Sequence, residues 1–456
     1  MHTLAQLTSG ALNGTQLKRI QIAEQLTEFP LEVLAFADTL EVLDLSNNRL
    51  SCLPDEFAQL SELKILFLSF NCFTEVPAII AQCPKLEMIG FKANQINTVA
   101  ENCLPIDTRW LILTDNKISQ LPSSIGDLHR LKKCALAGNK INALPATMAN
   151  CKELELLRIS ANNLSVIPDW LLSLPNLAWL AFSGNPVTDS HVSHDTFPYA
   201  QMTELQLGEQ LGQGASGVIY QANWQQTTQQ QVIENKKSID KEYSSVAVKM
   251  FRGDVTSDGY PKDELHCCLS AGHHPNLIKV LAQISEPDHL GLVMELIPAY
   301  FYNLGLPPSL VTCTRDTFSD GMDISLEHIV KVMRSMAAAL SHLHQNKVSH
   351  GDIYAHNTMI DIEGNMLFGD FGAATDLSLL SSRQANMMQS IEVRAFGNML
   401  DDLLGQQIEL GKSSASDCFK ALSVLSQQCL EHNSVLRPRF DQIYQQLKAL
   451  EESLSQ

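Results

Sequence analysis

One period governs the first two hundred residues. Leu40, Leu63, Leu86, Thr108, Leu131, Leu154 and Leu177 open successive units spaced 23, 23, 22, 23, 23 and 23 residues apart, each reading roughly L-x-x-L-x-L-x-x-N. The asparagines fall at Asn48, Asn71, Asn94, Asn116, Asn139, Asn162 and Asn185. A proline follows in most units, at Pro54, Pro77, Pro122, Pro145 and Pro168. A unit this short cannot bury its own leucines, so the units must stack. Each should supply a short strand with leucines turned into the coil, an asparagine that satisfies backbone groups at the turn, and a Leu-Pro segment that starts the return path.

This pattern resembles the leucine-rich repeat family. The resemblance implies a curved solenoid with its strands on the concave side. One outward strand position there carries Val42, Ile65, Met88, Trp110, Lys133, Leu156 and Trp179, and only Lys133 is not apolar. An apolar row with two tryptophans on a rigid face is expected to hold a protein substrate or partner, or the chain's own second half. The bland alternative is a by-product of repeat duplication. Residues 1–16 are expected to cap the array, 17–195 to form it, and 196–203, after the period breaks at Pro186, to act as a linker.

The second half carries a different set of signals. Leu211-Gly212-Gln213-Gly214-Ala215-Ser216-Gly217-Val218 follows an apolar alternation, and Val246-Ala247-Val248-Lys249 ends a second β-type run about 30 residues on. Glycines let a backbone approach phosphate oxygens closely. The polar stretch between, from Gln225 to Ser245, reads as a mobile loop extension. Glu264 is the acid best placed to hold Lys249, with Asp263 as competitor. Ser325–His344 shows helical periodicity. Then come His350-Gly351-Asp352, Asn357 and Asp370-Phe371-Gly372. Two carboxylates and a carboxamide on loops are what a site needs to hold Mg²⁺ and steer a nucleophile onto a phosphate.

Together these landmarks resemble the protein kinase family over residues 204–450. The fold expected is therefore an α/β leucine-rich-repeat solenoid followed by an α+β bilobal protein kinase-like domain, with its N-lobe at 204–296 and its C-lobe at 297–450. The resemblance implies ATP and Mg²⁺ as cofactors. Gly212, Gln213, Gly214, Ala215, Ser216, Gly217 and Val218 would wrap the phosphates, and Ala247, Met294, Leu296 and Met359 would line the adenine pocket. Lys249, held by Glu264, would align the phosphates. Asn357 and Asp370 would take the metal, and Asp352 would orient the acceptor hydroxyl. His350 is expected to pack and hydrogen-bond rather than shuttle protons. The chain's compactness and unusual catalytic loop resemble bacterial leucine-rich-repeat kinases, and the acceptor expected is a protein hydroxyl, serine or threonine being the commonest in the family.

Departures keep two alternatives open. Gly351 stands where the family has an arginine that grips a phosphorylated activation loop. Glu392 replaces an aspartate of the central helix of the large lobe, which is expected over Ile391–Leu404. Asp370 and Glu392 are 22 residues apart (392 − 370), too few for a full activation segment, and the Ala-Pro-Glu that would pair with Arg437 is missing. Tyr354 is neither the lysine nor the alanine or arginine of the two main kinase classes. A small-molecule phosphotransferase, or a pseudokinase scaffold acting through the repeats, would fit these departures. The segment from Pro298 to Gly321 has no assignment.

The bulk numbers set outer limits. A formal charge of −18 argues against nucleic acid or an anionic membrane as main partner. No stretch is apolar enough to span a bilayer. The eleven cysteines form no framework and are expected as buried thiols in a reducing cytoplasm.

Overall fold

The computed structural model describes residues 2–9, 15–189, 197–214, 216–225, 243–253, 255–256, 258–409 and 416–454. Ala215, the loop expected beyond Gln225 and the start of the expected linker lie outside them.

After a short capped helix α1 (Leu4–Thr8), the period becomes an eight-stranded parallel sheet. Its strands are β1 (Arg19–Gln21), β2 (Val42–Asp44), β3 (Ile65–Phe67), β4 (Met88–Gly90), β5 (Trp110–Ile112), β6 (Lys133–Ala135), β7 (Leu156–Arg158) and β8 (Trp179–Ala181), in chain order. Most prolines open a short 3₁₀ turn on the return path, and Pro168 opens helix α2 (Asp169–Leu172). The unit leucines are fully buried. The asparagines stitch neighbouring coils. Asn116 donates to the carbonyls of Phe91 and Leu113 at 2.9 and 3.1 Å and accepts from the Ile96 amide at 2.9 Å. Such buried amides leave few backbone groups unpaired at the turn.

The second half opens with a five-stranded antiparallel sheet of β9 (Leu205–Gln213), β10 (Gly217–Gln225), β11 (Tyr243–Phe251), β12 (Val280–Glu286) and β13 (His289–Glu295), ordered β12-β13-β11-β10-β9. Helix α3 (Pro261–Ala271) lies between β11 and β12 in the chain. The larger part follows: α4 (Leu326–Gln345), α5 (Ser382–Glu409), α6 (Asp417–Cys429) and α7 (Phe440–Leu454), with two short hairpin-like sheets holding the loops between. Ser325 caps α4 by accepting from the His328 amide. Helix α5 begins nine residues before the expected Ile391, because Met387 and Met388 in its first turns pack against the repeats. Residues 198–200 are docked on the sheet edge: the Ala200 amide donates to Gln283, and Gln283 donates to Pro198.

The two halves share their interiors. Leu377, Met388 and Ile391 belong to the apolar core of the repeats, whereas Leu156 and Trp179 belong to the core of the second half. Parallel pairing keeps the concave row in register from Val42 through Ile65, Met88, Trp110, Lys133 and Leu156 to Trp179. Its far end is not a free ridge. Trp179 is 1% exposed and Leu156 4%, covered by the chain's own second half. These two cannot serve as anchors for a separate partner in this fold. Val42, Ile65 and Trp110 stay half-buried, Met88 is buried, and the Lys133 ammonium stands 4.3 Å over the Trp110 ring. Among the described residues no helix is long and apolar enough to cross a membrane.

Candidate active site

The glycine turn joins β9 to β10. The Gly214 amide donates to the Gly217 carbonyl at 3.0 Å. A Cβ at Gly217 would stand 2.3 Å from the Met250 carbonyl oxygen, so only glycine fits there, while Gly212 and Gly214 face open space. Gln213 pairs with Val218 and Gly212 with Ile219 across the hairpin.

Next to it, β11 places Lys249 opposite Leu292 of β13 and Ala247 opposite Met294. The Lys249 ammonium pairs with Glu264 of α3. Asp263 points elsewhere, toward Gly184 of the repeats. Burial alone would push the Lys249 ammonium down. The Glu264 and Asp370 carboxylates outweigh it, the net shift is upward, and the group is a cation.

One cleft of about 370 Å³ lies between the sheet and the helical part. Gly214, Ser216, Gly217, Lys249, Glu264 and Met294 line it from above. Asn357, Met359 and Asp370 line it from below. Asp352, Gly212, Gln213, Val218, Ala247 and Leu296 are not part of its wall, although Asn357, which bonds Asp352, and Ile297 beside Leu296 are. Sequence reasoning missed Thr256, Asp258 and His356 in this lining. His356 bonds Asp316 at 2.6 Å. Burial disfavours its charge, but Asp316 overrides that and the shift is upward. No motif marks Asp316, because it lies in the stretch that had no assignment.

The loop below the cleft is held from several sides. His350 is fully buried and stacked 4.0 Å from Phe368; its Nε2 donates to the Gly369 carbonyl and its Nδ1 accepts from the Asp352 amide. Burial pushes its pKa down, so it packs as a neutral ring. Glu392 of α5 accepts from the Gly351 amide at 2.7 Å and also pairs with His344. Asn357 donates to the Asp352 carboxylate at 2.7 Å and to its carbonyl at 3.1 Å, leaving its own Oδ1 free of hydrogen bonds among the described residues. Asp370, at φ +60°, accepts from the Gly372 amide.

The repeats reach this loop directly. Trp179 stacks flat on Tyr354 at 4.6 Å and donates to the Ile353 carbonyl at 3.0 Å. Arg158 donates to the Asp352 carboxylate, to the Gly351 carbonyl at 3.0 Å and to Asp258 at 2.8 Å. Arg437, which lacks the glutamate expected for it, instead caps the carbonyls of Glu431, Ser390 and Pro175. Burial holds its pKa down at about 10. The unassigned stretch carries the short strand Tyr302–Asn303 and a loop that ties the repeats to the helices. In that loop Val311 accepts from Arg109, Thr314 donates to Glu155, and Arg315 pairs with Asp401 and Asp402 of α5.

Comparison with known proteins finds two families in the chain. Residues 205–396 match the family model of protein tyrosine and serine/threonine kinases, and residues 25–73 and 38–96 match that of leucine-rich repeats. Similar curated proteins include the L-type lectin-domain containing receptor kinase S.7 of Oryza sativa subsp. japonica, 33% identical over 138 residues, 30% of this chain and 18% of that protein. A probable serine/threonine-protein kinase of Dictyostelium discoideum is 25% identical over 189 residues, 41% of this chain and 18% of its own. The chain thus spans under a fifth of the length of these relatives.

Proposed function

Because the chain is a leucine-rich-repeat protein with a protein kinase domain, we propose that it transfers the γ-phosphoryl group of ATP to a serine or threonine hydroxyl of a protein. The observation that carries this is convergence: Lys249, Asn357 and Asp370, far apart in the chain, line one cleft beneath a glycine turn. Their donor set fits a hard, mostly hydrated cation. Asp370 offers a carboxylate and Asn357 a free carboxamide oxygen, a sparse oxygen site of the kind Mg²⁺ accepts when phosphates complete it. Bound there, the cation would supply charge neutralisation at the phosphates.

The chain's own residues supply position. Gly214 and Gly217 admit the phosphates close to backbone amides, and Lys249, braced by Glu264, aligns them. Asp352 orients the acceptor hydroxyl, and Met294 and Met359 wall the apolar end of the cleft. The work is placement and electrostatics in a partly enclosed site. The open end of the concave row, at Val42, Ile65 and Trp110, recruits a protein partner. Eleven free cysteines, nine of them buried, fit a cytoplasmic location.

A second acceptor class is favoured by one feature. The repeats stand over Tyr354 and the short segment through Leu377 and Leu380, where a peptide would otherwise lie. A small-molecule hydroxyl would meet less obstruction. Incubating the full chain with labelled ATP, a serine/threonine peptide library and a metabolite panel separates the two. Lys249→Met and Asp370→Asn should each lower transfer at least 10²-fold, the scale expected for lost positioning and charge stabilisation. Equal ATP turnover by wild type and both variants would leave the chain a scaffold.

A further inference from the structure

We propose that Arg158, carried by the repeat array, is a positioning residue of the phosphotransfer site: it fixes Asp352 and ties the catalytic loop to the segment leading into α3. This rests on the kinase reading above, and it makes the repeats part of the catalytic apparatus.

Four observations carry it. First, Arg158 is 4% exposed, and its guanidinium has three acceptors in three places. They are the Asp352 carboxylate, the Gly351 carbonyl and the Asp258 carboxylate. A planar fork with five donors can hold such a set in one orientation, which a flexible ammonium cannot. Second, Gly351 and Tyr354 stand at the two places next to Asp352 where a basic side chain of the loop would be sought, and His356, the basic group the loop does carry, bonds Asp316 instead.

Third, Arg158 does not fill the carboxylate. It bonds Oδ1 and Asn357 bonds Oδ2, and an ionised carboxylate has about four acceptor sites. The Asp352 side chain keeps 22% of its exposure, so an acceptor hydroxyl can still donate to it. Fourth, the same anchorage reaches α3, which bears Glu264. Asp258 lies three residues before Pro261. In the same segment, a Cβ on Gly259 would stand 3.0 Å from Ser160. Gly184 lies against Asp263 and Tyr260. The repeats therefore brace both ends of the site at once, the helix that holds Lys249 and the loop that holds Asp352.

The opposite role for the same contact, in which the repeats block the acceptor, predicts the opposite result. The two part cleanly in the full-length protein. Steady-state transfer from Mg-ATP to a serine/threonine peptide library is measured for wild type, Arg158→Ala and Arg158→Lys, alongside equilibrium Mg-ATP binding. The expected result for Arg158→Ala is a fall in kcat of about 10²-fold, the scale of a misplaced catalytic group. The KM for Mg-ATP should stay within threefold, and millimolar guanidinium should restore part of the rate. A residue that only held the fold together would not be rescued by free guanidinium. If the alanine variant does not fold, Arg158→Lys decides, since it keeps charge and bulk: a tenfold or greater loss in kcat at unchanged KM supports the proposal. Unchanged or raised kcat in the folded variants overturns it. Should wild type itself transfer no phosphate and match Lys249→Met, the kinase reading has failed instead.

Discussion

At the scale of single residues, Gly351 explains why the catalytic loop departs from its family. Its φ is +75°, and a Cβ there would lie 2.4 Å from the Ala373 carbonyl oxygen and 3.2 Å from that of Leu180 in β8. A side chain has no room because the Ala373 carbonyl of the second half occupies the place first, with the Leu180 carbonyl of β8 behind it. Gly351→Ala should lose about 2–4 kcal/mol, from left-handed strain plus collision with backbone that cannot swing away. Urea unfolding of the pair of proteins reads this, and an effect below 0.5 kcal/mol would mean that the Ala373 and Leu180 carbonyls do not close on Gly351 as described. The same residues show what sequence can and cannot reveal. Lys249, Asp352, Asn357 and Asp370 were legible because local spacing ties each to a loop or strand end. Arg158 was not. It sits at the last position of a repeat strand, where Ala135 and Ala181 stand in the neighbouring units. A lone arginine between two alanines was its only mark, and its partners lie 100 to 194 residues away.

Among elements, α3 is the one whose placement is set from outside its own sheet. Its first turn lies against the repeats, with Asp263 beside Gly184. Burial raises the Asp263 carboxyl from 3.8 to about 6, and its Oδ2 has no hydrogen-bond partner among the described residues. The folded state therefore binds the proton more tightly than the unfolded chain does. Stability from this group is greatest below the unfolded value near 3.8 and falls as pH rises toward 6. Asp263→Asn removes that ionisation. The stability difference between variant and wild type should move by about 2 kcal/mol in favour of the variant from pH 3.5 to pH 7, discounting for partial exposure. Thermal melts at the two pH values measure it, and parallel shifts in both proteins would refute the buried placement. Helix α5 teaches a related lesson. The family resemblance marked it from Ile391, but its first turns are stabilised by the repeats, a contact outside any local window.

At the scale of the whole molecule, the period announced a solenoid and the spaced motifs announced a second body, and the one mark of their fusion was the apolar concave row, whose Leu156 and Trp179 are covered by the chain's own second half. Strand and loop signals report on neighbours within a few residues, while the join is made by side chains from both halves entering each other's cores. Trp179 is the test of that join. It is fully buried, stacks on Tyr354 and donates its indole N–H to Ile353, so it is held by a flat ring contact and a hydrogen bond together. Its truncation leaves a large cavity and orphans a carbonyl of the catalytic loop. Trp179→Ala should therefore cost about 3–5 kcal/mol. Because Leu377, Met388 and Ile391 sit in the repeat core, the loss should not be confined to one half. Wild type should unfold in a single calorimetric transition, and the variant in one transition shifted downward as a unit. Two separated transitions in wild type, with only the later-matching half moved by the substitution, would show instead that the halves fold independently and merely touch.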